Sequence, residues 1–198
     1  RAWAVLGIMM VMVAVAWAQV RPLQNRDWAF GLDRGVVAQV QGDIVHLSNV
    51  RDFEWETYDT GKEHWVEKTV DLKQLETVDF IRTVWSSELI AHTMVSFGFS
   101  DGQRVVFSAE IQRESDEKFS ELGGFFKMFE LVLVGATEED IVRVRTHVRN
   151  EDVSIYSLTM TDAQKRALFM SYVDLGNELA SKPRWYHTIT TNCTTVIW

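Results

Sequence analysis

His92, Glu110 and Cys193 are the residues of this 198-residue chain whose types suit nucleophilic chemistry: a thiol, an imidazole to take its proton and a carboxylate to orient the ring. His92 and Glu110 flank Ser100-Asp101-Gly102, which fits a three-residue hairpin loop, a type I turn followed by glycine in the left-handed region. Pairing Phe99 with Gln103 carries His92 opposite Glu110. In that register Thr93, Val95, Phe97 and Phe99 share an apolar face with Gln103, Val105, Phe107, Ala109 and Ile111. His92, Met94, Ser96 and Gly98 share the other face with Arg104, Val106, Ser108 and Glu110. A slip of one residue would turn Glu110 into the apolar wall, where an unpaired carboxylate is costly. The two side chains are therefore cross-strand neighbours, with Cβ atoms about 5 Å apart. A carboxylate there orients the imidazole and stabilises its protonated form. Two roles fit: a catalytic pair, or an ordinary ion pair on a solvated sheet face. Gly98, Ser96 and Ser108 are small and leave room above the pair, which makes Ser96 and Ser108 candidate substrate-binding positions.

Cys193 is the only cysteine, which excludes an internal disulfide framework and any multi-cysteine zinc site. It stands in Thr190-Thr-Asn-Cys193-Thr-Thr-Val-Ile, where Thr191 or Asn192 can cap a helix whose first turn holds the thiol. A free cysteine has a pKa of about 8.5 and is a few per cent thiolate at neutral pH. A helix N-terminus lowers that value, and its amides can hold an oxyanion. The competing role, an inert buried thiol, is disfavoured by the polar neighbours Thr191, Asn192, Thr194 and Thr195. His46, His64, His147 and His187 fall on separate elements without metal-ligand spacing, so no metal and no cofactor are expected. His187 is the one alternative base.

These residues must be positioned by a folded domain. The chain is 46% hydrophobic and 12% aromatic with two prolines, a composition that forms a core and excludes disorder. Its 20 Lys+Arg against 28 Asp+Glu give a net charge of −8, which argues against nucleic acid as a partner. Residues 36–47 read as a hairpin turning at Gly42-Asp43, and residues 64–70 as a further strand. Leu72, Leu75 and Val78, at spacing three, predict a short helix or turn over 71–78. Strands are predicted at 131–134 and 153–158. Thr137 caps a helix with an acidic first turn, and Thr161 with Gln164 forms a capping box opening a longer helix that Pro183 halts. The pattern predicts an α+β fold, an antiparallel sheet with packed helices.

Residues 2–18 carry no charged side chain. As a helix they would rise about 25 Å, slightly short of a hydrocarbon core of about 30 Å. Trp3 and Trp17 suit the two membrane–water interfaces. A transmembrane helix or signal-anchor over 1–20 ranks first. A signal peptide cleaved after Ala16-Trp17-Ala18 is second, and a buried core helix last, because the stretch is apolar on every face. Residues 21–35 form a polar linker anchored by Trp28 and Phe30, and 36–198 the extracytoplasmic domain. Both chain ends read as cut from something longer, with the domain truncated after Cys193.

The run from His92-Thr-Met-Val-Ser-Phe-Gly-Phe through Ser-Ala-Glu110-Ile-Gln-Arg-Glu to Thr-Thr-Asn-Cys193-Thr resembles the periplasmic domain of Lnb-type bacterial lipoprotein N-acyltransferases. Asn49-Val50-Arg51-Asp52-Phe53 and the segment from Asp140 to Asp152 are similar to that family too. The likeness runs from about Asn49 to the end. More distantly, the order His92, Glu110, Cys193 resembles permuted papain-like (NlpC-type) enzymes such as lecithin–retinol acyltransferase. The resemblance implies an inner-membrane protein with a periplasmic catalytic domain. Its implied activity is transfer of a fatty acyl chain from a phospholipid donor, through a Cys193 thioester, to the N-terminal amine of a diacylated lipoprotein acceptor. Cys193, His92 and Glu110 would be catalytic, with Asn192, Ser96, Ser108, Arg145 and Arg149 meeting substrate; a solvated basic face competes for the arginines. Phe125, Phe126, Met128 and Phe129 fit core better than lipid contact. The alternative is a cysteine hydrolase, a cell-wall peptidase or amidase or a phospholipase, using the same pair.

Overall fold

A computed structural model describes residues 2–85, 91–118, 120 and 123–197, so Arg1 and Trp198 lie outside it. The apolar N-terminal stretch is a helix, α1 (Ala2–Gln19), with no buried residue. That overturns the core-helix alternative, since every side chain of α1 is left for another medium. The linker then lies across the domain: the Leu23 amide donates to Glu130, Trp28 bridges Glu114, and the Phe30 ring packs on Phe53 and Trp55.

The domain strands are β1 (Val37–Gln41), β2 (Ile44–Arg51), β3 (Glu54–Trp55), β4 (Gly61–Lys62), β5 (Trp65–Asp71), β6 (Leu75–Val84), β7 (Ala91–Phe99), β8 (Arg104–Gln112), β9 (Glu130–Ala136) and β10 (Asp152–Ser157). Two helices join them, α2 (Glu138–Arg143) and α3 (Asp162–Ser181). The fold is the expected α+β. Eight strands form one sheet in the order β1-β2-β9-β8-β7-β6-β10, with β5 also on β2. Its pairings are antiparallel apart from a short parallel contact of β2 with β9 at Val50 and Arg51.

One expectation holds only in part. Of 71–78, read as a short helix or turn, Leu72–Gln74 form a single 3-10 turn capped by Asp71, and β6 runs from Leu75 onward. Spacing three there is incidental. Val78 faces the core cluster under α3 and Ile81 the cluster on the opposite face, in a strand paired along both edges by β7 and β10.

Both faces of the β7–β8 hairpin are covered. On one, α3, opened by the Thr161–Gln164 capping box, lays Phe169 against Phe97, Phe99 and Phe107 at centroid distances of 5.1, 5.9 and 5.5 Å. Tyr172 stacks on Phe107 at 5.2 Å. Gly176 lets α3 approach β1, because a Cβ there would meet the Val36 carbonyl oxygen at 2.5 Å. Each of these fully buried aromatics contributes about 1.5–3 kcal/mol by leaving water. On the other face Ile141 of α2 joins Met94, Val106, Val132, Val134 and Ala136 in a second apolar cluster. Farther along that face His92 is buried and Glu110 half-buried, which does not fit an ion pair on a solvated sheet face.

Candidate active site

The β7–β8 register is the one the turn dictates: Val95 pairs Phe107 and Gly98 pairs Arg104. Beyond Val95 the two strands no longer pair backbone to backbone, yet His92 and Glu110 still meet through their side chains. His92 Nε2 lies 3.1 Å from Glu110 Oε1. Ser108 stands between them: its Oγ donates to Glu110 Oε1 at 2.7 Å and lies 2.7 Å from His92 Nε2. Ser108 is thus a bridge that fixes the ring. With Nε2 engaged, Nδ1 is the ring nitrogen left for another partner.

Cys193 hydrogen-bonds the His92 ring, and its carbonyl accepts from Thr93 Oγ1 at 3.2 Å, which fastens the C-terminal turn to the end of β7. Asn192 Oδ1 accepts from the amides of Thr194 and Thr195 at 2.8 and 3.0 Å, and Val196 N donates to Asn192 O. The capping chemistry is the expected one, although among the described residues the helix amounts to a single turn. The Asn192 side-chain amide donates to Thr188 O at 2.7 Å, tying the thiol's turn to the preceding loop.

Electrostatics follow from this packing. Burial pushes the Cys193 thiol up, but the His92 hydrogen bond and charge outweigh it and bring it down to about 7. Burial pushes the His92 imidazolium down, and Glu110 with the thiol more than reverses this, raising it to about 9. Burial would lift the Glu110 carboxyl, yet His92 and Arg145 hold it well below the usual range. At neutral pH the arrangement favours thiolate beside imidazolium.

Arg145 completes the cluster from below. After α2 the chain runs through a π-helical turn, Val144–Val148, closed by Arg149 N donating to Val144 O at 2.9 Å. Arg145 Nη2 donates to Glu110 Oε1 at 2.7 Å and Nη1 to Glu151 Oε2 at 3.1 Å. It is 4% exposed, so it belongs to no solvated basic face, and its two terminal nitrogens are engaged by protein carboxylates. Arg149 is placed differently. Its guanidinium sits over the Tyr58 ring at 4.4 Å with Nη1 3.9 Å from Glu151 Oε1, burial lowers its pKa, and its Nε, like that of Arg145, has no protein partner among the described residues.

His92, Glu110, Arg145, Arg149, Asn192 and Cys193 all line one cavity of about 760 Å³, whose far wall carries Phe30, Leu32, Trp55 and Tyr58. Ser96 does not reach it. Ser96 is fully buried and donates to Glu138 at 2.6 Å, in a polar cluster with Arg104 and Asp79. His187 is also turned away, its Nδ1 accepting from the amides of Ile189 and Thr190. Among the described residues no three His, Cys, Asp or Glu side chains converge as a metal ion would need. Thr93, Glu151, Tyr58 and Trp55 were not singled out from sequence. Only Glu151 carried a signal, as an acidic residue two positions after Arg149.

An α+β domain with a thiol, an imidazole and a carboxylate gathered at one cavity is thus the class that fold and site define. The chain belongs to the family described as the Lnb N-terminal periplasmic domain, whose model matches residues 61–198, a span that includes His92, Glu110 and Cys193. No curated protein and no solved structure matches it. The periplasmic family and a helix long and apolar enough to cross a membrane agree with an inner-membrane protein whose folded domain lies in the periplasm.

Proposed function

We propose that the protein is a cysteine-dependent acyltransferase of permuted papain-like plan, with 1–20 as membrane anchor and 36–198 as catalytic domain. It moves a fatty acyl chain from a phospholipid to the N-terminal amine of a diacylated lipoprotein. The observation that carries this reading is the Cys193–His92–Glu110 cluster, with the thiol lowered to about 7, opening on a cavity with both aromatic and cationic walls. The thiolate attacks the ester carbonyl, the C–O bond breaks, and the lysophospholipid alkoxide takes the proton from the His92 imidazolium. The product is a Cys193 thioester beside a neutral imidazole. The lipoprotein amine then adds to the thioester, His92 takes its proton, and the C–S bond breaks to restore thiolate and imidazolium. Glu110, held by Ser108 and Arg145, keeps the ring oriented. Arg149, with its unpartnered Nε, is the cation for the donor's phosphate, and Asn192 holds the thiol's turn open to substrate.

The test is mass spectrometry of the full chain after incubation with phospholipid vesicles. An acyl adduct on Cys193, absent from Cys193→Ala, is expected, and adding a diacylated lipopeptide discharges it to N-acylated peptide. Free fatty acid without acylated peptide would make the protein a hydrolase. No adduct, or full turnover by Cys193→Ala, overturns covalent chemistry.

A further inference from the structure

The loop between β8 and β9 divides its apolar side chains in two. Phe129 is fully buried, whereas Phe126 and Met128 are 64% and 47% exposed. Core accounts for the first and not for the others. Between the exposed pair stands Lys127, in the left-handed region at φ 53°, a conformation that costs a non-glycine residue about 1–3 kcal/mol and persists where surroundings impose it. What holds Lys127 is α1: its Nζ lies 4.2 Å from the Trp17 ring centroid and donates to Trp17 O at 3.3 Å.

The same loop is joined to the thiol's own segment. Thr188 N donates to Gly124 O, Tyr186 N donates to Phe129 O, and Phe125 meets the His187 ring at 5.8 Å. Gly123 and Gly124 permit this approach, since a Cβ on the first would strike Phe129 at 2.6 Å and one on the second would strike Thr188. Ile189, 63% exposed, projects from that neighbouring turn, four residues before Cys193.

We infer that Phe126, Met128 and Ile189 form a lip that sits in the headgroup–acyl boundary of the phospholipid bilayer, beside the cavity that holds Cys193. The occupant is set by continuity with α1. A tryptophan at the end of a membrane-crossing helix lies at the interface, and the loop clasped to it by Lys127 lies at the same depth. Exposed Phe, Met and Ile beside a lysine seated on a tryptophan ring is the composition that interface accepts. This deepens the acyl-donor reading by giving the donor a route from the bilayer, while the contact itself does not depend on acyl transfer.

The test replaces Phe126, and separately Met128, by the photoreactive p-benzoylphenylalanine in the full chain. The protein is reconstituted in vesicles of phosphatidylethanolamine and phosphatidylglycerol. Tyr156, equally exposed on the edge strand β10, is the control position. Irradiation is expected to add the mass of one phospholipid at 126 and 128 and none at 156. No lipid adduct at either loop position, equal labelling at 156, or a crosslink to a second copy of the chain overturns the lip. Because the readout is a crosslink, adducts without acyl transfer would sink the proposed reaction and leave the lip standing. Acyl transfer without adducts would do the reverse.

Discussion

Two guanidinium–carboxylate pairs are buried on the α2 side of the sheet, and they are built for different work. Arg51 grips Asp140 through Nε at 3.0 Å and Nη2 at 3.0 Å, and the same carboxylate accepts from Phe53 N at 2.7 Å and Trp55 Nε1 at 2.9 Å. These donors are a guanidinium, a backbone amide and an indole, and Arg51 also lies over the Trp55 ring at 5.0 Å. Arg145 holds Glu110 through Nη2 alone, at 2.7 Å, and that carboxylate's other partners are a serine hydroxyl and an imidazole that leads to a thiol. A buried charge surrounded by fixed donors is a clamp; one that shares its field with titrating groups tunes them. Arg51–Asp140 joins β2 to α2, whereas Arg145–Glu110 adjoins the His92 imidazole, whose pKa Glu110 raises and Arg145 lowers.

The largest effect expected from this contrast is on His92→Ala. Acyl transfer should fall by about 10³-fold or more, and the Cys193 thiol should climb from about 7 toward its ordinary value, read as the pH dependence of iodoacetamide alkylation. An alkylation midpoint still near 7 would mean that something other than the imidazole governs the thiol. Next, Asp140→Asn should cost about 3–5 kcal/mol in denaturant unfolding, because it strands a buried guanidinium, and should leave the alkylation midpoint unmoved. A moved midpoint would erase the distinction between clamp and tuner. The mildest is Glu110→Gln, with turnover reduced by about 10–100-fold and not abolished. For wild type the sign is fixed by two groups: thiolate forms above about 7, and imidazolium is lost above about 9, so kcat/KM should plateau between them. Removing the carboxylate lowers the imidazolium's pKa, so the alkaline limb of the Glu110→Gln profile should move to lower pH. A limb unchanged at about 9 would show that Glu110 does not raise it.

How much of this was legible depends on how local each determinant is. The Ser100-Asp101-Gly102 turn and strict alternation fixed which residues of β7 and β8 share a face, and the Thr161 capping box fixed where α3 starts. Both signals lie within a few residues. Strand β6 was missed because Leu72, Leu75 and Val78 satisfy a helical spacing, while the β-branched residues Thr77, Val78, Ile81, Thr83 and Val84 that argue for a strand begin only later. At the site, alternation placed Ser96 on the correct face without saying what stands over it, and Glu138 does. Arg145 could not be read as the partner of Glu110, nor Arg51 as the partner of Asp140, since those pairs are 35 and 89 positions apart and are made by tertiary packing. The return of Cys193 to His92 was expected from motif order alone, and its anchor at Thr93 had no local mark.

The widened turn after α2 has a consequence for how this architecture can diverge. With five residues spanning the Arg149–Val144 hydrogen bond in place of the usual four, Arg145 and Arg149 both lean toward Glu151. Deleting a single residue between them would restore an ordinary helical repeat and rotate everything downstream by about 100°. Arg149 would swing off the Tyr58 ring, and β10, which follows at once and pairs with β6, would have to be reseated. A length change at this turn would therefore move Arg149 and strain the pairing of β10 with β6 in one step.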